Sequence, residues 1–365
     1  MAGYTDAVAA EITTLPYPIV IQAGALNRVG DLVARYAPAY RYAVITDSNV
    51  GPIYGSAVTS ALPRSGLFTA TAGESSKNRE TWARITDELI SAGFGRDSAI
   101  VALGGGVVGD LAGFVAATFL RGVPLVQLPT SLLAMVDSSI GGKTGVDTPA
   151  GKNLVGAFHP PSLVVADLQT LATLPLEDLR TGFAEALKTG VIADSDYFEA
   201  LAGQLPALLA KRGKTGDSLL RAVVRSMEIK ADIVRRDERE SGLRKVLNFG
   251  HTVGHAIEVL SGYRMPHGAA VAIGMVAESA IAERAGIAET GTSKRIGDAV
   301  EAAGLPVRPP PDMTPDRIIG AMGTDKKARG GRVEYSLPRR IGEMAGSADG
   351  WTVAVATEIV REVLT

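Results

Sequence analysis

Segments with the pattern of buried strands alternate with amphipathic helical segments in the first half of the chain, and this alternation restricts the fold most. "YPIVIQAG", "RYAVITDSN" and "DSAIVALGGG" are runs of β-branched and other apolar residues that end in turn-forming residues. "ETWARITDELISAG", which precedes the third run, has apolar residues at helical spacing and ends on glycine. "VPLVQLPTS" and "PSLVVADLQT" predict further buried strands. This order predicts a parallel sheet with helices on its faces.

The second half of the chain, from about Leu176 onward, is rich in Ala, Leu, Glu and Lys. "LEDLRTGFAEALKTGV", "SLLRAVVRSMEIKADIVRRDE", "HTVGHAIEVLSG" and "AAVAIGMVAESAIAERAG" show helical periodicity. We therefore expect an α/β N-terminal domain with a Rossmann-like parallel sheet at residues 1–173. A mostly α-helical C-terminal domain is expected at residues 174–365.

Composition limits the possible classes of function. The 365 residues are 46% hydrophobic and 21% charged, which is typical of a globular protein of two domains. A net charge of -2 argues against bulk nucleic-acid binding, and the lack of cysteine excludes disulfides and thiolate zinc sites. The first residues lack a signal-peptide pattern, and the most apolar stretch is interrupted by Arg121 and two prolines. A cytoplasmic protein without a membrane or nucleic-acid partner is expected.

A glycine-rich turn follows the predicted strand in "IVALGGGVVGDLAGF", where Gly104, Gly106 and Gly109 form a G-x-G-x-x-G pattern. Glycines there let the backbone approach a pyrophosphate, and the following helix offers unpaired N–H groups. The pattern follows a late strand, however, and no acidic residue stands about 20 positions further on to bind a ribose. Asp47, at the end of an earlier strand, is an alternative ribose ligand. The pattern is equally typical of an ordinary strand-to-helix turn.

"VDSSIGGKTGVDTPAGKN", residues 136–153, contains the second half of a nucleotide-binding P-loop at Gly142, Lys143 and Thr144. The position of the first P-loop glycine is Asp137, a carboxylate where phosphate oxygens would lie. From these residues alone, it stays open which anion, if any, the loop binds.

Three of the four histidines lie close together, at His251, His255 and His267. His251 and His255 are four residues apart on one helical face, and neutral imidazoles with a carboxylate suit Zn²⁺. Glu185 could supply that carboxylate, with Lys188 on the same helical face. The alternatives are hydrogen-bonded structural histidines and an ordinary surface Glu–Lys ion pair. Thr252, Val253 and Gly254 lie between the two histidines, so the glutamate of H-E-x-x-H is missing, which excludes that type of metalloprotease.

A charge run, "MEIKADIVRRDERESGLRKVLNFGH", connects these motifs. Such runs are usually solvated helix faces. Here Lys230, Arg244 and Asn248 lead into the histidine motif, so basic groups beside a metal would favour a carboxylate or phosphate ligand.

Several stretches together resemble the 3-dehydroquinate synthase family, in that family's order and over most of the chain from Asp47 to about Lys327. They are "GGGVVGDLAGFVAATFLRG", "PTSLLAMVDSSIGGKTGVDTPAGKNLVGAF", "GFAEALKTG", "DERESGLRKVLNFGHTVGHAIE" and "HGAAVAIGM". The resemblance implies a shikimate-pathway lyase that converts 3-deoxy-D-arabino-heptulosonate 7-phosphate (DAHP) to 3-dehydroquinate and phosphate. It also implies NAD, a divalent metal (Zn²⁺ or Co²⁺) and a homodimer.

The resemblance also implies roles for single residues. Metal ligands fall on Glu185, His251 and His267. NAD contacts fall on Asp47, Glu74, Lys77, Gly104, Gly105, Gly106, Val107, Val108, Gly109, Asp110, Thr130, Ser131, Lys143, Lys152 and Thr173. Substrate contacts fall on Asp137, Lys143, Lys152, Asn153, Lys188, Lys230, Arg244, Asn248 and His255. Arg121 matches an arginine lent across the dimer interface, and Lys326 or Lys327 matches a late lysine.

Within this set, Lys143, Lys152 and Asn153 would hold the substrate phosphate, and Asp137 would face the hydroxyls of the sugar acid. Three other functions compete with this interpretation. A metal-dependent dehydrogenase of the glycerol dehydrogenase type would not need the cluster of lysines and arginine. A different sugar phosphate cyclase is disfavoured by Lys230 and Arg244, which suit a carboxylate, and a nucleotide-binding regulatory module would leave the metal site unexplained.

Overall fold

The computed structural model of the chain describes residues 9–323 and 333–365, and the chain packs as two compact units. The first unit comprises residues up to 174 together with 212–231, and the second comprises 175–211 and 232–365. The assignment of NAD binding to residues 1–173, and of metal and substrate binding to residues 174–365, stays a prediction. Lys326 and Lys327 lie outside the described residues.

The first unit is built on a seven-stranded sheet with strand order β1-β2-β9-β6-β5-β3-β4. Its strands are β1 (Ala9–Ile12), β2 (Ile19–Gln22), β3 (Arg41–Asp47), β4 (Ser65–Ala70), β5 (Ser98–Gly104), β6 (Leu125–Pro129) and β9 (Leu163–Asp167). All neighbours pair in parallel except β1, which runs antiparallel to β2 at one edge. The predicted parallel sheet is confirmed.

Helices cover both faces of this sheet: α1 (Val29–Tyr36), α2 (Ser56–Ala61), α3 (Arg79–Ser91) and α4 (Gly106–Thr118). Successive residues of a strand point to opposite faces, so Ile45 packs in a core with α3 and α4, whereas Val44 packs in a second core with α1 and α2. Because both faces are buried, the central strands are continuous apolar runs.

A β-hairpin, β7 (Lys143–Thr148) and β8 (Gly151–Phe158), forms a separate two-stranded sheet in the first unit. It contains much of the segment that includes the second half of a P-loop pattern. A Cβ on Gly113 of α4 would lie 2.4 Å from the Thr144 side chain, so this helix and the hairpin pack in direct contact. Lys143 therefore lies on β7 and Lys152 on β8, in a hairpin that packs against α4.

The second unit is mostly helical, as predicted. It contains α5 (Leu176–Ala193), α6 (Ser195–Ala210), α8 (His251–Leu260), α9 (His267–Arg284), α10 (Thr292–Ala302), α11 (Pro315–Gly323), α12 (Thr357–Leu364) and the short strands β10 (Glu334–Tyr335), β11 (Pro338–Arg340), β12 (Glu343–Met344) and β13 (Val353–Ala354). A further helix, α7 (Asp217–Arg236), begins in the first unit and ends in residues that pack with the second. Among the described residues, no helix combines the length and apolar character that crossing a membrane requires.

Candidate active site

The glycine-rich turn lies between the carboxyl end of β5 and the first turn of α4. A Cβ on Gly104 would lie 2.6 Å from the Val108 side chain, so only glycine allows this close approach of strand and helix. The N-cap residue is Gly105, which has no side chain to bind the first N–H groups of α4. A helix start of this kind suits a pyrophosphate, and the turn fits a dinucleotide.

Other predicted NAD contacts follow neighbouring strands at the same edge of the sheet. Asp47 ends β3, which pairs with β5, and its Oδ1 accepts the N–H groups of Asn49 and Val50. Thr130 follows β6 and donates its N–H to the Gly104 carbonyl at 2.9 Å. Ligands of open parallel sheets bind at this edge because the carboxyl ends of the strands meet there.

Lys77 is buried among three carboxylates of the first unit. Its Nζ lies 2.9 Å from Asp110 Oδ2, 3.4 Å from Glu74 Oε1 and 3.9 Å from Asp147 Oδ1. Burial lowers the pKa of Lys77, but the carboxylates outweigh burial and the net pKa lies above the ordinary value. Lys77 therefore stays charged and holds together the predicted NAD residues Glu74 and Asp110.

Asp147, which the sequence analysis did not select, links this cluster to the hairpin. Its N–H donates to the Lys77 carbonyl at 2.7 Å, and its Oδ1 accepts the N–H of Asn153 at 2.8 Å. Asn153 has a left-handed backbone with φ 53, a conformation in which asparagine is enriched among non-glycine residues. Lys152 Nζ lies 3.4 Å from Glu74 Oε1, so the structure brings the predicted phosphate and NAD residues together.

Asp137 and Lys230 form a direct pair in the first unit. Lys230 Nζ donates to both the backbone oxygen and Oδ1 of Asp137, each at 2.6 Å. Because this ammonium group is largely buried, Asp137 stabilises its charge and fixes its position. From the sequence, the two residues were expected to contact different parts of the substrate, and their direct contact was not predicted.

Arg121 lies in a strained turn after α4. Leu120, Arg121 and Gly122 all have positive φ, at 50, 71 and 116 degrees. The Arg121 side chain is exposed on the first unit.

Thr173 is another predicted NAD contact. Its hydroxyl oxygen lies 2.8 Å from the hydroxyl oxygen of Tyr54, so the two groups form a hydrogen bond.

In the second unit, α5 places Glu185 and Lys188 on one helical face and buries both. Their side chains are 1% and 2% exposed and form an ion pair. The alternative of an ordinary surface ion pair is therefore wrong. The Lys188 ammonium group favours the negatively charged form of Glu185, the form that could bind a metal.

Two histidines from different helices face this carboxylate. His251 is the first residue of α8 and His267 the first of α9, and their Nε2 atoms lie 3.7 and 3.5 Å from Glu185 Oε1. The ligand atoms of the three residues lie within 4.8 Å of one another, which fits one tetrahedral metal ion. His251 Nδ1 lies 3.1 Å from the Phe249 carbonyl, so Nε2 is the nitrogen that faces Glu185.

Glu258, on α8, is a buried carboxylate that the sequence analysis missed. Its Oε2 lies 3.2 Å from His267 Nδ1, on the side of the ring opposite Glu185, and 4.0 Å from His255 Nε2. Burial lowers the pKa of His267, but Glu185 and Glu258 outweigh it and raise the pKa to about 10. The pocket thus favours positive charge, which a divalent ion would supply in place of a proton. In the sequence, the only indication of this role is that Glu258 follows His255 by three residues, which places both on one face of a helix.

A second set of possible ligands shares one histidine with the first. The ligand atoms of His255, Glu258 and His267 also lie within 4.8 Å of one another. In this set His267 would use Nδ1, which already faces Glu258. A carboxylate in this position commonly orients a ligating histidine, so we favour the set that contains Glu185 and treat Glu258 as the group that orients His267.

Arg244 and Asn248 lie on a short helical turn, residues 243–248, before α8. Asp237 accepts the backbone N–H groups of Ser241, Gly242 and Arg244, and these bonds hold the segment in place. The Arg244 side chain is buried and donates to the Glu238 carbonyl, and Asn248 Nδ2 donates to Glu240 Oε1 at 2.5 Å. Arg244 thus presents a fixed cationic group in the second unit.

Comparisons with known proteins show which family this chain belongs to. Residues 67–181 match the family model described as 3-dehydroquinate synthase N-terminal, and residues 182–328 match the one described as 3-dehydroquinate synthase C-terminal. A protein of Symbiobacterium thermophilum named 3-dehydroquinate synthase is 49% identical over 341 residues, which cover 91% of this chain and 94% of that protein. The resemblance found in the sequence is confirmed.

Two solved structures of other cyclases share the fold. A structure of 2-deoxy-scyllo-inosose synthase with carbaglucose-6-phosphate, NAD⁺ and Co²⁺ has a TM-score of 0.85 and 25% identity, and covers 98% of this chain and 99% of its own. A 2-epi-5-epi-valiolone synthase from Streptomyces hygroscopicus with NAD⁺ and Zn²⁺ bound has a TM-score of 0.85 and 29% identity, with 97% of each chain covered.

Proposed function

The chain belongs to the 3-dehydroquinate synthase family and has that family's activity, and we propose which of its residues carry the reaction. The reaction converts DAHP to 3-dehydroquinate and phosphate through transient oxidation, phosphate elimination, reduction, ring opening and an intramolecular aldol closure. The observation that supports the proposal most strongly is the approach of His251 and His267 to Glu185, beside the buried Lys188.

Glu185, His251 and His267 would hold the divalent metal, and the turn from Gly104 to Asp110 would hold NAD⁺. When bound, NAD⁺ supplies a hydride acceptor that is restored within each cycle, and the metal supplies a Lewis acid for the substrate hydroxyl. Lys188 would stabilise the negative charge of the Glu185 carboxylate, and Glu258 would orient the His267 ring. His255 would contact the substrate rather than the metal.

The charged groups of each unit would orient the sugar acid. In the first unit, Lys143, Lys152 and Asn153 would hold the substrate phosphate, and the Asp147 carboxylate fixes the backbone of Asn153 for this purpose. Asp137 positions the Lys230 ammonium group. In the second unit, the buried Arg244 would bind a carboxylate, which a guanidinium group can contact through two parallel hydrogen bonds.

The fate of NAD⁺ distinguishes this reaction from that of a dehydrogenase, which converts NAD⁺ to NADH. With DAHP and a small amount of NAD⁺, we expect phosphate release to continue without net formation of NADH, because the hydride leaves and returns in one cycle. The measurement follows NADH absorbance and phosphate in the same sample. Accumulation of one NADH per product would instead support a dehydrogenase of the glycerol dehydrogenase type.

A homodimer is also proposed, with Arg121 reaching the partner's site. The exposed apolar side chains of Leu154, Val155 and Phe158 lie on β8. A Cβ on Gly122, next to Arg121, would lie 4.0 Å from the ring of His159, which adjoins Phe158. This surface, which also includes the exposed Leu120, suits a second copy of the chain. Sedimentation equilibrium should give two chains per particle, and one chain per particle would contradict the proposal.

A further inference from the structure

Glu278 of α9 is a buried carboxylate outside the predicted ligand set, and it binds the first turn of α8. Its side chain is fully buried; Oε2 accepts the N–H of Gly250 at 2.7 Å, and Oε1 accepts the N–H of Val253 at 2.9 Å. The first N–H groups of a helix have no partner within the helix, and a negative charge there also interacts favourably with the helix dipole. Glu278 therefore caps α8 from a neighbouring helix.

The backbones of the two helices also approach closely at this point. Gly250, the N-cap of α8, has φ 79, and a Cβ on it would lie 2.6 Å from the Met275 side chain. A Cβ on Gly274 would lie 1.9 Å from the Gly250 carbonyl oxygen. The start of α8 is thus set against α9 by backbone contact as well as by the carboxylate.

His251, a proposed metal ligand, lies between the two residues whose N–H groups Glu278 binds. His267, another proposed ligand, is the first residue of the helix that carries Glu278. One side chain therefore fixes the start of α8 relative to the helix that begins with His267. Burying a carboxylate costs free energy unless the carboxylate is hydrogen-bonded. The Glu278 carboxylate is therefore held in place by its hydrogen bonds with both N–H groups.

We infer that Glu278 is a positioning residue of the metal centre, which sets metal affinity through His251 without touching the ion. The inference rests on the proposed metal site. It assigns to Glu278 a role that a neutral side chain of the same size cannot fill, because an amide would direct N–H donors at one of the two backbone N–H groups.

Glu278→Gln tests this role by titration of Zn²⁺ against a competing chelator. We expect the affinity for Zn²⁺ to fall by about 10- to 100-fold, the range usual for residues that support metal ligands. The visible absorption of the Co²⁺ form should change as well, because the position of His251 changes. Glu278→Asp keeps the charge but shortens the side chain, so it should also weaken Zn²⁺ binding. The same titration is carried out on this variant if Glu278→Gln does not fold.

Ile281→Ala is the matched control, since Ile281 is a fully buried residue of α9 in the core of the second unit. This variant should lower the melting temperature yet bind Zn²⁺ with wild-type affinity. Wild-type affinity in a folded Glu278 variant, or an equal loss of affinity in Ile281→Ala, would overturn the inference. Failure of the wild-type chain to bind Zn²⁺ would instead overturn the proposed metal site.

Discussion

Replacing His267 with alanine should remove the bound divalent metal and lower DAHP turnover by about a thousandfold or more, while the chain stays folded. A metal that polarises a substrate oxygen is worth several kcal/mol in the transition state, and each 1.36 kcal/mol corresponds to a factor of about ten. Metal content by atomic spectroscopy and steady-state phosphate release measure the two effects.

His159→Ala is the control for this experiment. His159 belongs to the first unit and lies 2.9 Å from the Val123 carbonyl through Nε2, so its loss should leave the metal in place. Stoichiometric zinc in a His251→Ala/His267→Ala double variant would contradict the ligand assignment.

Replacing Lys77 with methionine should lower the free energy of unfolding by about 3 kcal/mol, because it leaves three partly buried carboxylates without their cation. The Lys77 side chain is 5% exposed and has three carboxylate oxygens within 3.9 Å. NAD⁺ affinity should fall as well, since Glu74 and Asp110 lose the group that holds them. Urea denaturation and calorimetric titration of NAD⁺ measure the two effects.

The pH dependence of the Lys77 contribution has a definite sign. Because the folded pKa lies above the ordinary value of 10.5, the stabilisation is fully present below pH 10.5 and declines as the pH rises toward the folded pKa. Arg84→Met, which removes an exposed ion pair with Glu88, should change stability by less than about 1 kcal/mol. An equally small effect of Lys77→Met would contradict the proposed role of the cluster.

The central strands of the sheet could be predicted because both of their faces are buried, which produces continuous β-branched runs such as β3 and β5. Other strands carry no such pattern. β1 has the sequence AAEI and becomes a strand through its pairing with β2. The hairpin of β7 and β8 is rich in glycine and charged residues, so it was interpreted as a loop.

The histidine spacing predicted a shared helical face, but it could not decide which carboxylates lie nearby. Glu185 was one candidate from the sequence pattern and became a predicted ligand through the family resemblance, whereas the contacts of Glu258, Glu278 and Asp147 emerged only from the structure. The grouping of residues 212–231 with the first unit likewise depends on packing over long sequence distances. Local sequence patterns predict which residues are buried and where turns lie, whereas contacts between distant segments determine which charged side chains lie close together.

The substrate class is the central claim, and one comparison tests it most directly. The purified chain, loaded with metal and less than one equivalent of NAD⁺, is given either DAHP or glucose 6-phosphate, and phosphate release is measured. Because Arg244 is proposed to bind a carboxylate that glucose 6-phosphate lacks, we expect many turnovers per NAD⁺ with DAHP and none with glucose 6-phosphate. Phosphate release from glucose 6-phosphate but not from DAHP would contradict the account.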